Sequence, residues 1–186
     1  MPISEPAEYA ILGLLEHRPM HGYEMFQQFQ NAALGQIVHL EMSQMYAFLK
    51  KLNRLEYIAS QLEPQGARPP RKVFHMTEAG RKVFLHWLTV PVERPREIRI
   101  LFLIKLYFSE RVCPEQSAGL VDEQLAACRR FLEHLEEQQP SVVKTDEMAF
   151  FDRVVLSSRI HQTHALLTWL QELQREFGLK LADSNA

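Results

Sequence analysis

The sequence predicts a mainly α-helical protein with one two-stranded hairpin, and three observations support this prediction. Apolar residues recur at helical spacing over most of the 186 residues. The chain has seven glycines and ten prolines, a low glycine count that disfavours many tight hairpins or a glycine-rich nucleotide site. Apolar residues make up 46% and charged residues 24% of the chain, which is typical of a folded globular protein.

The N-terminal segment predicts two helices. Tyr9–Leu15 is a short apolar run, which indicates a buried first helix that ends at His17-Arg18-Pro19. His21-Gly22-Tyr23-Glu24 then opens a second helix. The residues expected on its inner side are Tyr23, Phe26 and either Phe29 or Met25.

The third predicted helix separates an apolar stripe from a cationic one. Ser43 is its expected N-cap, because a serine hydroxyl can accept a hydrogen bond from an unpaired amide of the first turn. The apolar stripe is Met45, Phe48, Leu49, Leu52 and Leu55, and the opposite stripe is Ala47, Lys50, Lys51 and Arg54. We therefore expect this helix to bury one face and to present cations on the other.

A hairpin and a fourth helix are predicted next. Tyr57–Leu62 and Arg71–Met76 have the composition of short strands. The segment between them, residues 63–70, contains three prolines that are expected to prevent regular pairing, and Gly66, which allows a tight tip. The expected product is a hairpin with a protruding basic turn. Thr77 is expected to cap a helix that continues to about Leu88.

Prolines at positions 91 and 95 mark a break between two predicted domains, residues 1–92 and 93–186. Ile98–Phe108 is apolar on nearly all sides, as in a helix that is covered on several faces. Two heptad-like seams follow on long helices: Val121, Leu125, Cys128, Leu132 and Leu135, and then Leu166, Leu170, Leu173 and Phe177. These seams are short for a free coiled coil, so we expect a bundle that also packs against the same helices of a second subunit.

The charge distribution is uneven along the chain. The net charge of −2 gives by itself no sign of nucleic-acid binding. Residues 44–82, however, contain eight bases and three acids, for a net charge of +5, whereas residues 100–186 carry −4. A basic block within an acidic chain is typical of a face that meets a polyanion, although a solvated helix face and a charged loop would give the same count.

Other function classes find little support in the sequence. Cys113 and Cys128 lack the spacing of a zinc site and fit a reducing cytoplasm. His161 and His164 are three residues apart, but the sequence fixes no third metal ligand near them. The longest apolar run near the N terminus has six residues, too few for a signal peptide core or a membrane span. We therefore expect a cytoplasmic protein that is not an enzyme and has no catalytic residues, metal, cofactor or membrane contact.

The predicted order of elements is that of a winged helix-turn-helix followed by an α-helical dimerisation domain. A helix fits the major groove of DNA, and a basic loop can reach the flanking phosphates or the minor groove. The candidate DNA contacts that follow from this pattern are Ser43, Gln44, Tyr46, Lys50, Lys51, Arg54 and Arg68. A packing role for Tyr46 and a merely solvated face for the cations stay open as alternatives.

Five sequence blocks follow one another over residues 9–82. They are Ala10-Ile11-Leu12-Gly13-Leu14-Leu15, Pro19-Met20-His21-Gly22-Tyr23-Glu24, Ser43-Gln44-Met45-Tyr46 with Leu49-Lys50-Lys51-Leu52, Pro69-Pro70-Arg71-Lys72-Val73-Phe74, and Met76-Thr77-Glu78-Ala79-Gly80-Arg81. In this order the blocks resemble the PadR family of bacterial transcriptional regulators. The C-terminal half is similar more loosely, through Trp169-Leu170 and its long helices, to the dimerisation domain of the longer members.

The resemblance implies a homodimeric repressor that binds a pseudo-palindromic operator in double-stranded DNA and leaves it when a small aromatic effector binds. The family's DNA-contacting tyrosine, lysines and wing cations fall here on Tyr46, Lys50, Lys51, Arg68, Arg71 and Lys72. Two positions depart from the family pattern. Glu56 replaces a common glycine after the third helix, so it must take a strained turn or shift the helix end. Glu41-Met42-Ser43 replaces a common Ser-Pro-Gly.

Two further questions stay open at the level of sequence. The candidate aromatic walls of an effector pocket between the domains are Trp87, Phe102, Tyr107, Phe108 and Trp169, although residues at helical spacing are more often plain core. The competing hypothesis for the whole chain is a helical interaction module that uses the winged fold to dock a protein partner. Such a module would bind its partner without DNA and independently of salt.

Overall fold

The structure of the chain is a computed structural model, which describes residues 3–65, 68–138 and 147–184. The chain forms two compact units: Met1–Val90 with Arg99–Cys113, and Pro91–Ile98 with Pro114–Ala186. The division into domains after residue 92 stays a prediction; the compact units follow a different partition, because residues 99–113 pack with the N-terminal segment. Within the described residues, no helix combines the length and apolar character needed to cross a bilayer.

The first two helices lie near their predicted positions. Helix α1 spans Pro6–His17 and is buried on almost all sides, and α2 spans Gly22–Asn31. The inner side of α2 was only partly predicted, since Met25 and Phe29 are both buried and Phe26 is half-buried. The prediction for Tyr23 is wrong, because this side chain is 54% exposed. Met25 and Phe29 are four residues apart and fill the inner stripe together.

A short helix that the sequence analysis missed, α3 at Leu34–Ile37, precedes the predicted third helix, which is α4 at Met42–Arg54. The predicted N-cap is also wrong. Glu41 caps α4 through a capping box: its carboxylate accepts from the Gln44 backbone, and Gln44 Oε1 accepts from the Glu41 N–H at 2.9 Å. Ser43 lies inside the helix and is exposed.

The end of α4 is fixed by a left-handed residue. Glu56 has φ of 59°, the one positive φ of a non-glycine residue in the part of the chain that the structure describes. Of the two alternatives for Glu56, the strained turn therefore occurs, and the end of α4 is not shifted. The Tyr57 N–H donates to Leu52 O at 3.1 Å, and the Thr77 hydroxyl donates to Glu56 O at 2.6 Å. These bonds hold a conformation that costs a residue with a Cβ about 1 to 2 kcal/mol.

The hairpin is longer than predicted and belongs to a three-stranded antiparallel sheet. Strands β1 at Met20–His21, β2 at Ile58–Gln65 and β3 at Arg68–Met76 lie in the order β1-β3-β2. The strands extend further than predicted, to Gln65 and from Arg68, but the prediction of irregular pairing is confirmed, because the described register gives Pro64, Pro69 and Pro70 no Cα partner. A register shift between Glu63 and Gln65 brackets Pro64. Bulges and edges are the places where a strand tolerates proline.

The remaining helix of the winged region follows as predicted. Helix α5 spans Glu78–Thr89, and the Thr77 Oγ accepts a hydrogen bond from the Gly80 N–H at 3.1 Å. A Cβ at Gly80 would lie only 2.0 Å from the Tyr57 carbonyl oxygen. Glycine is therefore required for α5 to approach the turn after α4 so closely. These elements together form the predicted winged helix-turn-helix.

The helices after the proline break are α6 at Pro95–Glu97, a π-helical turn at Ile98–Phe102, and α7 at Leu103–Val112. As expected for a helix covered on several faces, Phe102, Ile104 and Phe108 are buried. The Phe108 ring lies against Gly13, where a Cβ would come within 2.4 Å of it. Close packing against α1 thus completes the core of the first unit.

Two long helices form most of the second unit. Helices α8 at Pro114–Glu137 and α9 at Glu147–Ser184 pack along each other. All nine predicted seam residues are buried or half-buried: Val121, Leu125, Cys128, Leu135, Leu170 and Phe177 are buried, and Leu132, Leu166 and Leu173 are half-buried. Gln124 of α8 exchanges two 2.8 Å hydrogen bonds with the backbone of Val92. The predicted mainly α-helical fold is therefore confirmed.

Candidate nucleic-acid interface

The outward face of α4 is polar and accessible. Met45, Leu49 and Leu52 turn into the core, which leaves Tyr46, 49% exposed, and the exposed Lys50 on the other side of the helix. Positions 46, 50 and 54 follow at intervals of four, so Tyr46, Lys50 and Arg54 form one stripe. The prediction that α4 presents cations to solvent holds for this stripe.

A glycine sets the distance between α2 and α4. A Cβ at Gly22 would lie 2.8 Å from Tyr46 Cε1 and 3.1 Å from Leu49 Cδ1. Because glycine has no Cβ, the start of α2 packs directly against the phenol ring. The ring of Tyr46 is therefore held from one side, while its exposed edge faces solvent.

A groove of about 460 Å³ lies where α2, α4 and β3 meet. Two exposed tyrosines, Tyr23 and Tyr46, line it. It is also lined by one cation from a helix, Lys50 of α4, and one from a strand, Lys72 of β3. Tyr23 is a candidate contact that the sequence analysis missed, because it was assigned to the core; its hydroxyl accepts a hydrogen bond from Gln27 at 2.8 Å. The groove thus combines positive charge with aromatic and hydroxyl groups.

The wing adds cations from β3. Arg71 pairs in register with Glu63 of β2, and Lys72 with Leu62. The Lys72 ammonium lies 5.6 Å from the centre of the Phe74 ring, close enough for a cation–π contact. Arg68 belongs to β3, but its side chain lies outside the described residues, as does Gly66 of the expected tip.

The basic block divides into paired and unpaired cations. Lys51 lies 2.8 Å from the carboxylate of Glu8, and Arg81 lies 2.8 Å from that of Glu16. For Lys50, Arg54 and Lys72, the described part of the chain places no carboxylate within 4.0 Å. The available positive charge is therefore concentrated on the α4 stripe and on β3.

Lys51 forms an ion pair with Glu8, a carboxylate that is fully buried. Its side chain is 20% exposed, and that of Glu8 is fully buried. Glu8 also accepts hydrogen bonds from the backbone N–H groups of Ser4, at 2.9 Å, and Glu5, at 3.1 Å. The sequence pattern groups Lys51 with the DNA contacts, but in the structure its ammonium group pairs with a buried carboxylate of α1.

The residues at the start of α4 are partly engaged. Gln44 uses its Oε1 in the capping box, which leaves its NH₂ group available. Glu41 also lies 2.7 Å from His39 Nε2. Nearby, Glu24 binds both Arg18 and His21, the latter at 3.0 Å. Burial alone would raise the pKa of Glu24, but these two partners lower it below its ordinary value.

The candidate aromatic residues do not form one set. Trp87 stacks on Tyr9 with ring centres 4.1 Å apart, and Phe102 is fully buried. Tyr107 and Phe108 line a second cavity in the first unit, of about 520 Å³, whose wall also includes Arg111. The remaining candidate, Trp169, belongs to α9 in the second unit. The described residues contain no group of three or more His, Cys, Asp or Glu side chains arranged to hold a metal ion.

Two family models and a relative from Bacillus subtilis match this chain. Residues 11–85 match the transcriptional regulator PadR-like family, and residues 98–177 match the virulence activator alpha C-terminal family. The negative transcriptional regulator PadR of Bacillus subtilis (strain 168) is 26% identical over 172 residues, which cover 89% of this chain and 94% of that protein.

Solved structures of Bacillus subtilis PadR are also similar. Its complex with operator DNA is 25% identical, with a TM-score of 0.47, and the match covers 93% of this chain and 99% of that one. Its complex with p-coumaric acid is 24% identical, with a TM-score of 0.43, over 94% and 99% of the two chains. The PadR-like match and the relative that spans most of the chain agree with the motifs found in residues 9–82, and residues 11–85 belong to the PadR-like family of transcriptional regulators.

Proposed function

We propose that this chain is a homodimeric repressor that binds a pseudo-palindromic operator through α4 and the β2–β3 hairpin, and that a small phenolic effector releases it. The observation that carries the proposal is the groove where Tyr46, Lys50 and Lys72 converge. The Bacillus subtilis relative is a negative transcriptional regulator, and its solved structures include complexes with operator DNA and with p-coumaric acid. These facts support the same activities in this chain.

In this proposal, each part of the surface has a distinct role in DNA binding. The α4 stripe enters the major groove, where Tyr46, Lys50 and the free NH₂ group of Gln44 reach base edges or phosphates. Ser43 and Arg54 extend the same surface at either end. The wing cations Arg68, Arg71 and Lys72 bind the flanking phosphates. Lys51 is assigned instead to the pair with Glu8.

The direct test is a fluorescence anisotropy titration with DNA from the promoter region upstream of the chain's own gene. We expect the double variant Lys50→Ala, Lys72→Ala to bind at least tenfold more weakly, because it loses two cations of the groove. The matched control is Lys82→Ala, Arg130→Ala, which removes the same charge from exposed positions outside the groove. Equal affinities for wild type and the groove variant would overturn the proposed interface.

The proposed dimer is supported by an exposed apolar patch at the start of α9. Its members are Phe150, Phe151, Val154 and Val155, each more than 40% exposed. Apolar patches of this kind mark interaction sites on protein surfaces. In a symmetric dimer the two α4 helices enter successive major grooves, so the half-sites should be centred about 10 bp apart or a multiple of that.

Light scattering tests the dimer without DNA. We expect wild type to show twice the 21.7 kDa mass of one chain. Phe151→Asp should shift the equilibrium to the monomer, whereas Leu62→Asp, at an exposed apolar position of the wing, should leave it unchanged. A monomeric wild type at micromolar concentration would contradict the proposal.

The second cavity is the proposed effector site. Tyr107 and Phe108 supply aromatic surface, and the Arg111 guanidinium, 3.5 Å from the Tyr107 ring centre, supplies a charge for a carboxylate or phenolate. An effector releases DNA only if it binds the DNA-free conformation more tightly than the bound one. We expect Arg111→Gln to need at least tenfold more p-coumaric acid for release from DNA, and Arg129→Gln to behave as wild type. If Arg111→Gln were released from DNA by the same concentration as wild type, the effector would bind at another site.

Family membership decides between the remaining function classes. The chain is a transcriptional regulator and not an enzyme, as the sequence predicted. The protein-docking alternative is not favoured for the same reason. A regulator of transcription acts where the chromosome is, which supports the proposed location in the bacterial cytoplasm.

A further inference from the structure

The second unit contains a cavity of its own, of about 610 Å³. Its walls come from three places: Arg94, Pro95 and Arg96 at the start of α6, Phe131 of α8, and Arg159, Gln162 and Thr163 of α9. All of these residues belong to the second unit, and none lies in the DNA-binding groove or in the proposed effector cavity. The volume lies within the range of ordinary small-molecule sites.

The cavity has a surplus of positive charge. Arginine keeps its charge at all physiological pH values, so three guanidinium groups line it. Glu97 lies 3.5 Å from Arg94 and 4.0 Å from Arg96, distances beyond those of well-formed charged hydrogen bonds. Within the described residues, no carboxylate lies within 4.0 Å of Arg159. The local charge is therefore about +2, which favours a ligand with two negative charges over a monoanion.

The walls also suit a flat ring. The Arg159 guanidinium carbon lies 5.4 Å from the centre of the Phe131 ring, so a planar cation and an aromatic face line the same cavity. Gln162 donates its NH₂ group to the Ser158 hydroxyl at 2.9 Å, which leaves Gln162 Oε1 as a hydrogen-bond acceptor. Gln162 Oε1 is an acceptor in a cavity whose arginines are all donors. It therefore favours a ring that carries an N–H group.

One polar group helps to fix this arrangement. Thr163 is 1% exposed, and its hydroxyl donates to the Arg159 backbone carbonyl at 2.8 Å. Its oxygen therefore keeps its own acceptor capacity at the base of the cavity. The site thus offers arginine donors for an anion and two acceptors for a ring, the exposed Gln162 Oε1 and the buried Thr163 hydroxyl oxygen.

We propose that this cavity binds a nucleoside monophosphate, with the phosphate dianion held by the arginine forks and the base stacked beside Phe131 and Arg159. Guanidinium groups match phosphate oxygens in a bidentate geometry, and stacking is sequence-tolerant because every base has a flat face. The site is independent of the proposed DNA-binding and phenolic-effector functions.

Isothermal titration of the full-length protein with adenosine 5′-monophosphate tests the proposal, with inorganic phosphate and adenosine as separate titrants. We expect the nucleotide to bind at least tenfold more tightly than either part. Arg159→Gln and, as a second variant at an exposed position, Arg96→Gln should each weaken nucleotide binding at least tenfold, and the control Arg130→Gln should not. Far-UV circular dichroism checks that each variant is folded.

Three outcomes would overturn the proposal. Phosphate that binds as tightly as the nucleotide would reduce the cavity to a simple anion site. Equal nucleotide affinity in Arg159→Gln, Arg96→Gln and wild type would place the ligand elsewhere. Absence of nucleotide binding, with a changed oligomeric mass for Arg159→Gln, would make the cavity part of a subunit contact. Because no DNA is present, none of these results bears on the proposed repressor function.

Discussion

Two adjacent lysines of α4 belong to two different regions of the molecule. Lys50 lies on the groove face, exposed and with no carboxylate within 4.0 Å among the described residues, whereas Lys51 points toward α1 and binds the buried carboxylate of Glu8 at 2.8 Å. A rotation of about 100° around the helix axis separates a cation that is available to a partner from one that the fold itself uses. The +5 charge of residues 44–82 is therefore not a measure of DNA contacts, because part of it balances buried acids.

The largest effect on stability should come from the buried side of this pair. Lys51→Met leaves Glu8 buried and unpaired, a change that costs about 3 kcal/mol of unfolding free energy. Lys50→Met is the matched control and should change stability by less than about 0.5 kcal/mol. Urea denaturation measures both.

The double variant Glu8→Leu, Lys51→Met distinguishes a broken ion pair from a generally damaged core. It should recover most of the lost stability, since removal of both buried charges is often neutral. If Lys51→Met were as stable as wild type and defective only in DNA binding, Lys51 would belong to the groove surface after all.

A second buried lysine extends the comparison, because no carboxylate of the described residues lies within 4.0 Å of it. Lys105 is 3% exposed; it donates to Val90 O at 2.7 Å and to Trp87 O, and its ammonium lies 4.2 Å from the Trp87 ring centre. Burial lowers its pKa to about 7. The unfolded chain, with an ordinary lysine pKa near 10.4, therefore binds more protons above pH 7.

The predicted consequence is a pH-dependent stability. The cost of the buried ammonium is full below about pH 7 and declines as pH rises toward 10, by up to about 1.4 kcal/mol per pH unit. The unfolding free energy of wild type relative to Lys105→Met should therefore increase between pH 7 and 9. A constant difference over that range would mean that the two carbonyls and the indole keep Lys105 charged.

On the groove face, Gly22→Ala should weaken DNA binding while changing the stability of the fold only slightly. A new Cβ would meet Tyr46 Cε1 at 2.8 Å and displace a half-exposed ring, so DNA affinity should fall several-fold. Stability should change by less than about 1 kcal/mol, because an exposed ring can move. Gly119→Ala, where a Cβ would meet nothing within 4 Å, is the control and should leave DNA affinity unchanged. Unaltered binding by Gly22→Ala would show that the position of Tyr46 is unimportant.

The sequence predicts what depends on local periodicity. The apolar stripe of α4 and the Thr77 cap follow from neighbouring residues, and the structure confirms them. The left-handed turn at Glu56 is one of the two alternatives left open by the departure from the family's glycine. The Lys51 pair does not, because Glu8 is 43 residues away and no local pattern connects the two.

The errors also have physical causes. Tyr23 was assigned to the core because an aromatic residue at helical spacing resembles a core residue, although Met25 and Phe29 already fill that side. Ser43 is the cap that serine's N-cap preference predicts, but the Glu41 and Gln44 pair begins the helix two residues earlier. Strand β1 has only two residues and forms by pairing with β3. Two residues are too few to show a strand pattern in the sequence.

The claim that the Lys50 side of α4 meets DNA phosphates is tested most directly by the salt dependence of binding. Each phosphate contact contributes close to one unit to the slope of log affinity against log salt concentration. We predict that Lys50→Ala lowers this slope by about one relative to wild type, while Lys82→Ala leaves it unchanged. Identical slopes for wild type and Lys50→Ala would contradict the account.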